Sequence, residues 1–358
     1  MITGVPAAGN LIERIHELAA ALPREVCMME ICGTHTMAIY RQGIRSLLPR
    51  NVRLISGPGC PVCVTPTAVI DRMLLLANHP ERIIATFGDM IRVPGTQGSL
   101  QQARGEGADV RTVYSPMDAV KLAAENPARQ VVLLGIGFET TAPAIAAAVV
   151  EADRLHLDNF IVAAACKLVP PALDALLQSP RARIDALLCP GHVSIIIGAN
   201  AYEDVVRNYG VPCVIAGFEG DDILGAIVRM LEQIADGKAC VENMYAQWVK
   251  PEGNVQAREL MQRVLERCDA EWRGLGRIAQ SGLRLRECFR RYDAFERFAV
   301  PEVESREPRA CRCGEVLQGA ADPADCTLYG KTCTPESPVG PCMVSSEGAC
   351  AAAFKYGE

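Results

Sequence analysis

Six of the sixteen cysteines, Cys311, Cys313, Cys326, Cys333, Cys342 and Cys350, fall in the last 48 residues, in a stretch rich in Gly and Pro and without apolar periodicity. A segment of that kind cannot order itself by burying a hydrophobic face. It needs a cross-link, and the chemistries available to six thiols are an iron–sulfur cluster, zinc or disulfides. The cysteines are separated by one, twelve, six, eight and seven residues. Four thiolates arriving on separate loops suit a [4Fe–4S] cluster, and Gly314, Gly330, Gly340 and Gly348 would let amides turn toward the sulfurs. Zinc more often announces itself by paired CxxC knuckles, which the tail lacks, but it also accepts four thiolates and stays open here.

At 358 residues the chain exceeds what one hydrophobic core usually serves, so two or three domains are expected. Aliphatic residues are plentiful and aromatics few, at 5%, which suits layered α/β packing. The net charge of −6 is spread along the chain without a basic tract, which argues against nucleic acid as a partner. The start, MITGVPAAGNLIERIHELAA, does not read as a secretory leader, and there is no apolar run long enough to span a membrane. A cytoplasmic location without a membrane partner is therefore expected. In that reducing setting, cysteines point to metal or redox chemistry before a disulfide framework.

Between about residues 25 and 217, β-branched runs alternate with helical patterns. Val52–Ser56, Arg82–Thr86, Val110–Tyr114, Val131–Ile136, Phe160–Ala164, Ile184–Leu188 and Val211–Ala216 read as strands. Thr65–Ala77, Pro116–Glu125, Thr140–Glu151, Ala201–Tyr209 and Asp221–Ala235 read as helices. This is a βα series, which forms parallel sheets with functional loops at the strand ends. The expected fold class is α/β: two parallel-sheet domains over 1–125 and 126–245, then a mainly helical or irregular domain over 246–358. That third domain opens with a charged helical region around Ala257–Trp272 and ends in the cysteine tail.

Two further sulfur motifs sit in the first half. Cys60 and Cys63 form GPGCPVC at a strand-to-helix join, where helix amides can lower a thiol pKa, the placement of a redox dithiol; half a zinc site is the rival reading. Cys32 and His35 form CGTHT ahead of an expected helix over Met37–Leu48. A thiolate is a soft ligand for low-valent iron or copper, and the imidazole three residues on can hydrogen-bond or carry a proton, although Thr34 or Thr36 could be simple caps. GIGFETT at 135–141 lacks the glycine order and lysine of a phosphate loop. Cys189–His192 (CPGH) and Ala216–Gly220 (AGFEG) lie at strand ends, where parallel sheets bind ligands. Cys166, Cys213, Cys240, Cys268 and Cys288 read as buried small hydrophobes.

Taken in order, CGTHT at 32–36, GPGCPVC at 57–63, GFETT at 137–141, AGFEG at 216–220 and CTPESPVGPCMVSSEGAC at 333–350 resemble the HypD family of [NiFe]-hydrogenase maturation proteins. The resemblance implies a scaffold with two α/β domains and a third holding a [4Fe–4S] cluster, on which an iron atom acquires cyanide and carbon monoxide as an Fe(CN)2CO unit. It implies a small HypC-type chaperone and a HypE-type cyanide donor as partners. Cys32 matches the family's iron-associated cysteine, His35 its neighbouring histidine, Cys60 and Cys63 its paired thiols, and Glu347 lies in the matching SSEGAC. The cluster ligands are expected to be Cys313, Cys326, Cys333 and Cys350, which fall on four turns, with Cys311 or Cys342 as substitutes. The competing classes are a freestanding [4Fe–4S] thiol–disulfide oxidoreductase and a zinc-stabilised interaction module.

Overall fold

The computed structural model describes residues 8–179 and 183–357. The strands are β1 Val26–Glu30, β2 Val52–Ser56, β3 Arg82–Thr86, β4 Asp109–Thr112, β5 Gln130–Gly135, β6 Phe160–Ala164, β7 Ala186–Pro190, β8 Cys213–Ala216, β9 Val241–Asn243, β10 Leu265–Trp272 and β11 Gly276–Leu285. They form a five-stranded parallel sheet in the order β2-β1-β7-β8-β9, a four-stranded parallel sheet in the order β4-β3-β5-β6, and an antiparallel hairpin of β10 and β11.

The α/β class holds, but the expected division at residue 125 runs between strands of one sheet. β3 to β6 form a continuous insertion, and the first sheet draws strands from before and after it. Hydrophobic periodicity reports that a run is a strand and says nothing about its partner, so two interleaved sheets and two successive ones look alike in sequence. The central strands are apolar along their length because both faces are covered. In the first sheet, Met28, Leu188 and Val214 pack under the helices Ala8–Ala20 and Gly220–Asp236 with Ile15 and Ile227. In the second, Val131, Leu133 and Val162 pack under Pro116–Glu125 and Ala142–Arg154. Helix ends follow local chemistry: Ser115 and Asp118 form a capping box ahead of Pro116, and Gly237 ends its helix in the left-handed region at φ 64°.

The third region is corrected in part. The helical pattern around Ala257–Trp272 is a helix only over Val255–Val264 and then becomes β10, whose alternating burial marks one exposed face. The hairpin joins both sheets. It continues β6 through Leu168 N–H to the Ser281 carbonyl at 2.8 Å and Leu283 N–H to the Cys166 carbonyl at 3.0 Å. At its turn, Arg273 reaches the other sheet: its amide donates to the Val64 carbonyl at 2.9 Å, and its guanidinium donates to the Cys63 and Thr65 carbonyls at 3.1 and 2.8 Å. Arg273 is 6% exposed and also pairs with Glu307. Among the described residues, no helix is long and apolar enough to cross a membrane.

Removing Arg273 leaves buried carbonyls without donors. Arg273→Ala should lower the unfolding free energy by about 2–4 kcal/mol, and Glu307→Gln, on a half-exposed partner, by under about 1 kcal/mol, both read from denaturant unfolding. Equal effects of the two would show that the ion pair, not the carbonyl contacts, carries the clamp.

Candidate functional site at the ends of the first sheet

The order of the first sheet reverses between β1 and β7, because the chain leaves β1 toward β2 on one side while β7 lies on the other. Ligands of open parallel sheets bind outside the carboxyl ends at such a point. Cys32 follows β1 directly and is the N-cap residue of the helix Gly33–Arg41. That helix begins four residues earlier than the pattern Met37–Leu48 suggested and breaks at Gly43, so His35 sits inside its first turn.

Cys32 is 8% exposed. Burial pushes its thiol up to about 11, with Glu347 adding to the rise and the amides of His35 and Thr34 opposing it. The thiol is therefore protonated at neutral pH, and binding a metal there releases a proton. His35 is fully buried; its Nε2 lies 2.8 Å from the Gly217 carbonyl, its ring centroid 4.7 Å from that of Phe218, and the His192 ring lies 4.3 Å from Phe218, tilted by 35°. Burial lowers the imidazole to about 4. A neutral ring facing a carbonyl must carry its proton on Nε2, which leaves Nδ1 as a lone-pair acceptor. Nδ1 is buried without a hydrogen-bond partner. The strand-end motifs CPGH and AGFEG thus supply the walls around His35, while Glu219 forms a capping box with Asp222.

The CxxC loop lies beside this mouth. Gly33 N–H donates to the Gly59 carbonyl at 3.0 Å, and a Cβ at Gly59 would run into the backbone of Ile31 and Cys32. Cys60 is the N-cap of Pro61–Val64, its sulfur 3.1 Å from the Cys63 amide, and Cys60 and Cys63 are joined as a disulfide.

The tail closes the remaining side. Thr34 Oγ1 donates to Glu347 Oε1 at 2.8 Å, and a Cβ on Gly33 would collide with Glu347. Ser345 donates to Asp89 at 2.8 Å, Arg92 donates to the Pro335 and Val344 carbonyls at 3.0 and 3.3 Å, and Cys63 Sγ lies 4.0 Å from the Pro341 carbonyl. The tail is therefore pinned to strand-end loops of both sheets. Sequence reasoning selected Glu347 but missed Arg273, Asp89 and Arg92, whose roles are contacts across long separations that leave no local pattern.

Within the tail, Cys311, Cys313, Cys326, Cys333, Cys342 and Cys350 line one cavity beside Val316, Leu328 and Met343. The four expected ligands and both substitutes are thus brought together. Hydrogen bonds from Cys311 and then Cys342 hold the Cys313 thiol well below its ordinary range, with Arg273 assisting, whereas Cys342 is held well above it by its bonds to Cys313 and Cys350. Val339 N–H points at Cys333 Sγ at 3.3 Å, and a Cβ on Gly340 would press on Cys311 Sγ. Among the described residues no group of three or more His, Cys, Asp or Glu forms a ready site for a metal ion. The donor set still fits a cluster bound through thiolates: the sulfurs ring one apolar cavity, and Gly340 leaves room where a side chain would intrude. Of the cysteines read as buried hydrophobes, Cys166 and Cys213 are buried, Cys268 is half-buried, and Cys240 and Cys288 are exposed.

Folding lowers the pKa of His35 from about 6.5 to about 4, so the unfolded chain binds more protons between those values. The stability difference between the iron-free protein and its His35→Phe variant should shrink by about 3 kcal/mol as the pH falls from 7 to 4, measured by denaturant unfolding at each pH. A pH-independent difference would contradict a buried neutral imidazole.

The sequence is similar to known proteins along nearly its whole length. A family model described as HypD, hydrogenase formation hypA family, matches residues 7–357. The hydrogenase maturation factor HypD of Azotobacter vinelandii is 49% identical over 341 residues, covering 93% of this chain and 90% of that protein. The hydrogenase maturation factors HypD of Cupriavidus necator and Escherichia coli K12 are each 47% identical, over 360 and 351 residues, covering 98% and 97% of this chain and 95% and 93% of theirs.

Proposed function

The chain belongs to the HypD hydrogenase-formation family, and on that premise we propose that it is a maturation scaffold on which the Fe(CN)2CO unit of a [NiFe] hydrogenase is assembled. The observation that carries the reading is the convergence of Cys32, the Cys60–Cys63 pair and Glu347 on one mouth, from segments separated by as many as 313 residues. In this reading Cys32 is the ligand of the iron under construction, which is the substrate of the site. Its buried setting limits water, and a soft thiolate suits an electron-rich iron that holds cyanide and carbon monoxide. His35 Nδ1 is placed to accept a hydrogen bond or a proton, and Glu347 acts beside Cys32 as an acceptor held by Thr34.

The tail cysteines are the proposed holders of a [4Fe–4S] cluster, with Cys313, Cys326, Cys333 and Cys350 as first choice. A bound cluster would supply electrons singly. The redox-active pair Cys60 and Cys63 lies between that cavity and Cys32, with Cys63 against Pro341 next to Cys342. A HypC-type chaperone and a HypE-type cyanide donor are the proposed partners, and the proposed setting is the cytoplasm.

Three measurements test the reading. In complex with the small chaperone, Cys32→Ser should abolish the cyanide and carbonyl infrared bands while leaving the tail cluster in place; bands of normal intensity in that variant would refute ligation by Cys32. Anaerobically purified protein should contain about four iron and four sulfide per chain, falling in Ala variants of the four tail ligands. Zinc in place of iron would favour the interaction-module reading. Thiol labelling across a redox titration should show Cys60 and Cys63 cycling at a potential near or above roughly −300 mV, and a pair that never opens would remove the redox role.

A further inference from the structure

The hairpin turn at residues 273–275 is wedged between the CxxC helix and the tail cysteines. On one side the Arg273 guanidinium donates to the carbonyls of Cys63 and Thr65 at 3.1 and 2.8 Å and to Thr67 Oγ1 at 3.3 Å. On the other, Gly274 lies against Gly314, the residue after Cys313, so closely that a Cβ on Gly274 would run into the Gly314 backbone. Gly274 also has φ 82°, a conformation suited to glycine. Gln318 fastens this contact, its Nε2 donating to the Gly274 carbonyl at 2.7 Å and to the Gly314 carbonyl at 3.1 Å.

None of these contacts needs a charge, since carbonyl oxygens accept equally from a neutral amide or hydroxyl. A guanidinium that is 6% exposed has nevertheless been taken out of water, at a desolvation cost, and it keeps its proton at every working pH. Its field is screened far less than that of a surface charge. It reaches Cys313, whose thiolate it favours. Glu307, half-exposed, pairs with Arg273 and accepts from the Thr67 amide at 3.0 Å, so the buried charge is offset only from its solvent side. Arg312, which also lines the cavity of the tail cysteines, is half-buried and pairs with Glu315 three residues on.

We propose that Arg273 is a positioning residue for redox chemistry: its buried charge raises the reduction potential of the centre held by the tail cysteines, and Glu307 moderates that effect. The proposal rests on the reading of the tail as a [4Fe–4S] site. Reduction adds one negative charge to such a centre, and a nearby cation stabilises the form that carries it. The same side chain grips the carbonyl of Cys63, so one residue fixes the dithiol in place and biases the neighbouring centre toward holding an electron.

The test is a redox titration of the anaerobically purified full chain followed by electron paramagnetic resonance, with iron and sulfide counted in each sample. Arg273→Gln should shift the reduction equilibrium toward the oxidised cluster by at least about tenfold, roughly 59 mV downward for one electron. Arg273→Lys keeps the charge and should stay within about twofold of the unmodified protein, whereas Glu307→Gln should shift the equilibrium at least about threefold the other way. Glu307 is half-exposed, so its variant decides the matter even if Arg273→Gln fails to fold. A purely structural role would move the two Arg273 variants alike and leave Glu307→Gln at the unmodified value. That pattern, or one potential in all four proteins at equal iron and sulfide content, would overturn the proposal. An unmodified protein that holds no iron or sulfide would remove the cluster reading itself, and with it the centre that Arg273 is proposed to tune.

Discussion

The hydrogen bond from Thr34 to Glu347 closes the sulfur-bearing mouth, and much of the surrounding structure exists to hold its two ends. One end is fixed by β1, which delivers Cys32 and the first turn of its helix. The other belongs to a tail with little periodic structure of its own, secured by Asp89 and Arg92 from the second sheet and by the helix Ala349–Tyr356 packed on Gly33–Arg41. Gly33 is required where the two meet, since any side chain there would occupy the space of Glu347.

The interleaving of the sheets gives the rest its logic. A mouth assembled from β1, β2, β7 and β8 would be an ordinary strand-end crevice of one sheet. Inserting β3 to β6 brings a second set of strand-end loops to the same tail, and the hairpin with Arg273 locks the CxxC helix against it. Arg273 has a second effect, because its charge also favours the thiolate of Cys313. One buried cation thus connects the dithiol with the cavity of the tail cysteines.

Local chemistry made much of this legible in sequence. Pro116–Glu125, with its serine cap and proline, has the same limits in sequence and structure, as do Val52–Ser56, Arg82–Thr86 and Phe160–Ala164. The sulfur motifs were visible because unusual residues sit at strand-to-helix joins. Pairing was not visible: nothing in β7 says that it lies beside β1 and not β6. The change from helix to strand at Leu265 was hidden by charged residues on the exposed face of β10, which imitate a solvated helix. His192 and Phe218 were legible as strand-end residues but not as neighbours of His35, since those ring contacts depend on how β7 and β8 lie next to β1.

If the tail controls access to Cys32, the reactivity of that thiol reports its seating. The rate of Cys32 alkylation by iodoacetamide, followed by peptide mass spectrometry under anaerobic conditions, can be compared in the unmodified chain, Thr34→Val, Glu347→Gln and the double variant. Cys32 should react slowly in the unmodified chain and at least about tenfold faster in each single variant, as loss of roughly 1.4 kcal/mol of seating implies. The double variant should be no faster than the singles, because both remove the same contact. A Cys32 that alkylates like a free thiol in the unmodified chain, or at one rate in all four proteins, would contradict a mouth closed by the tail.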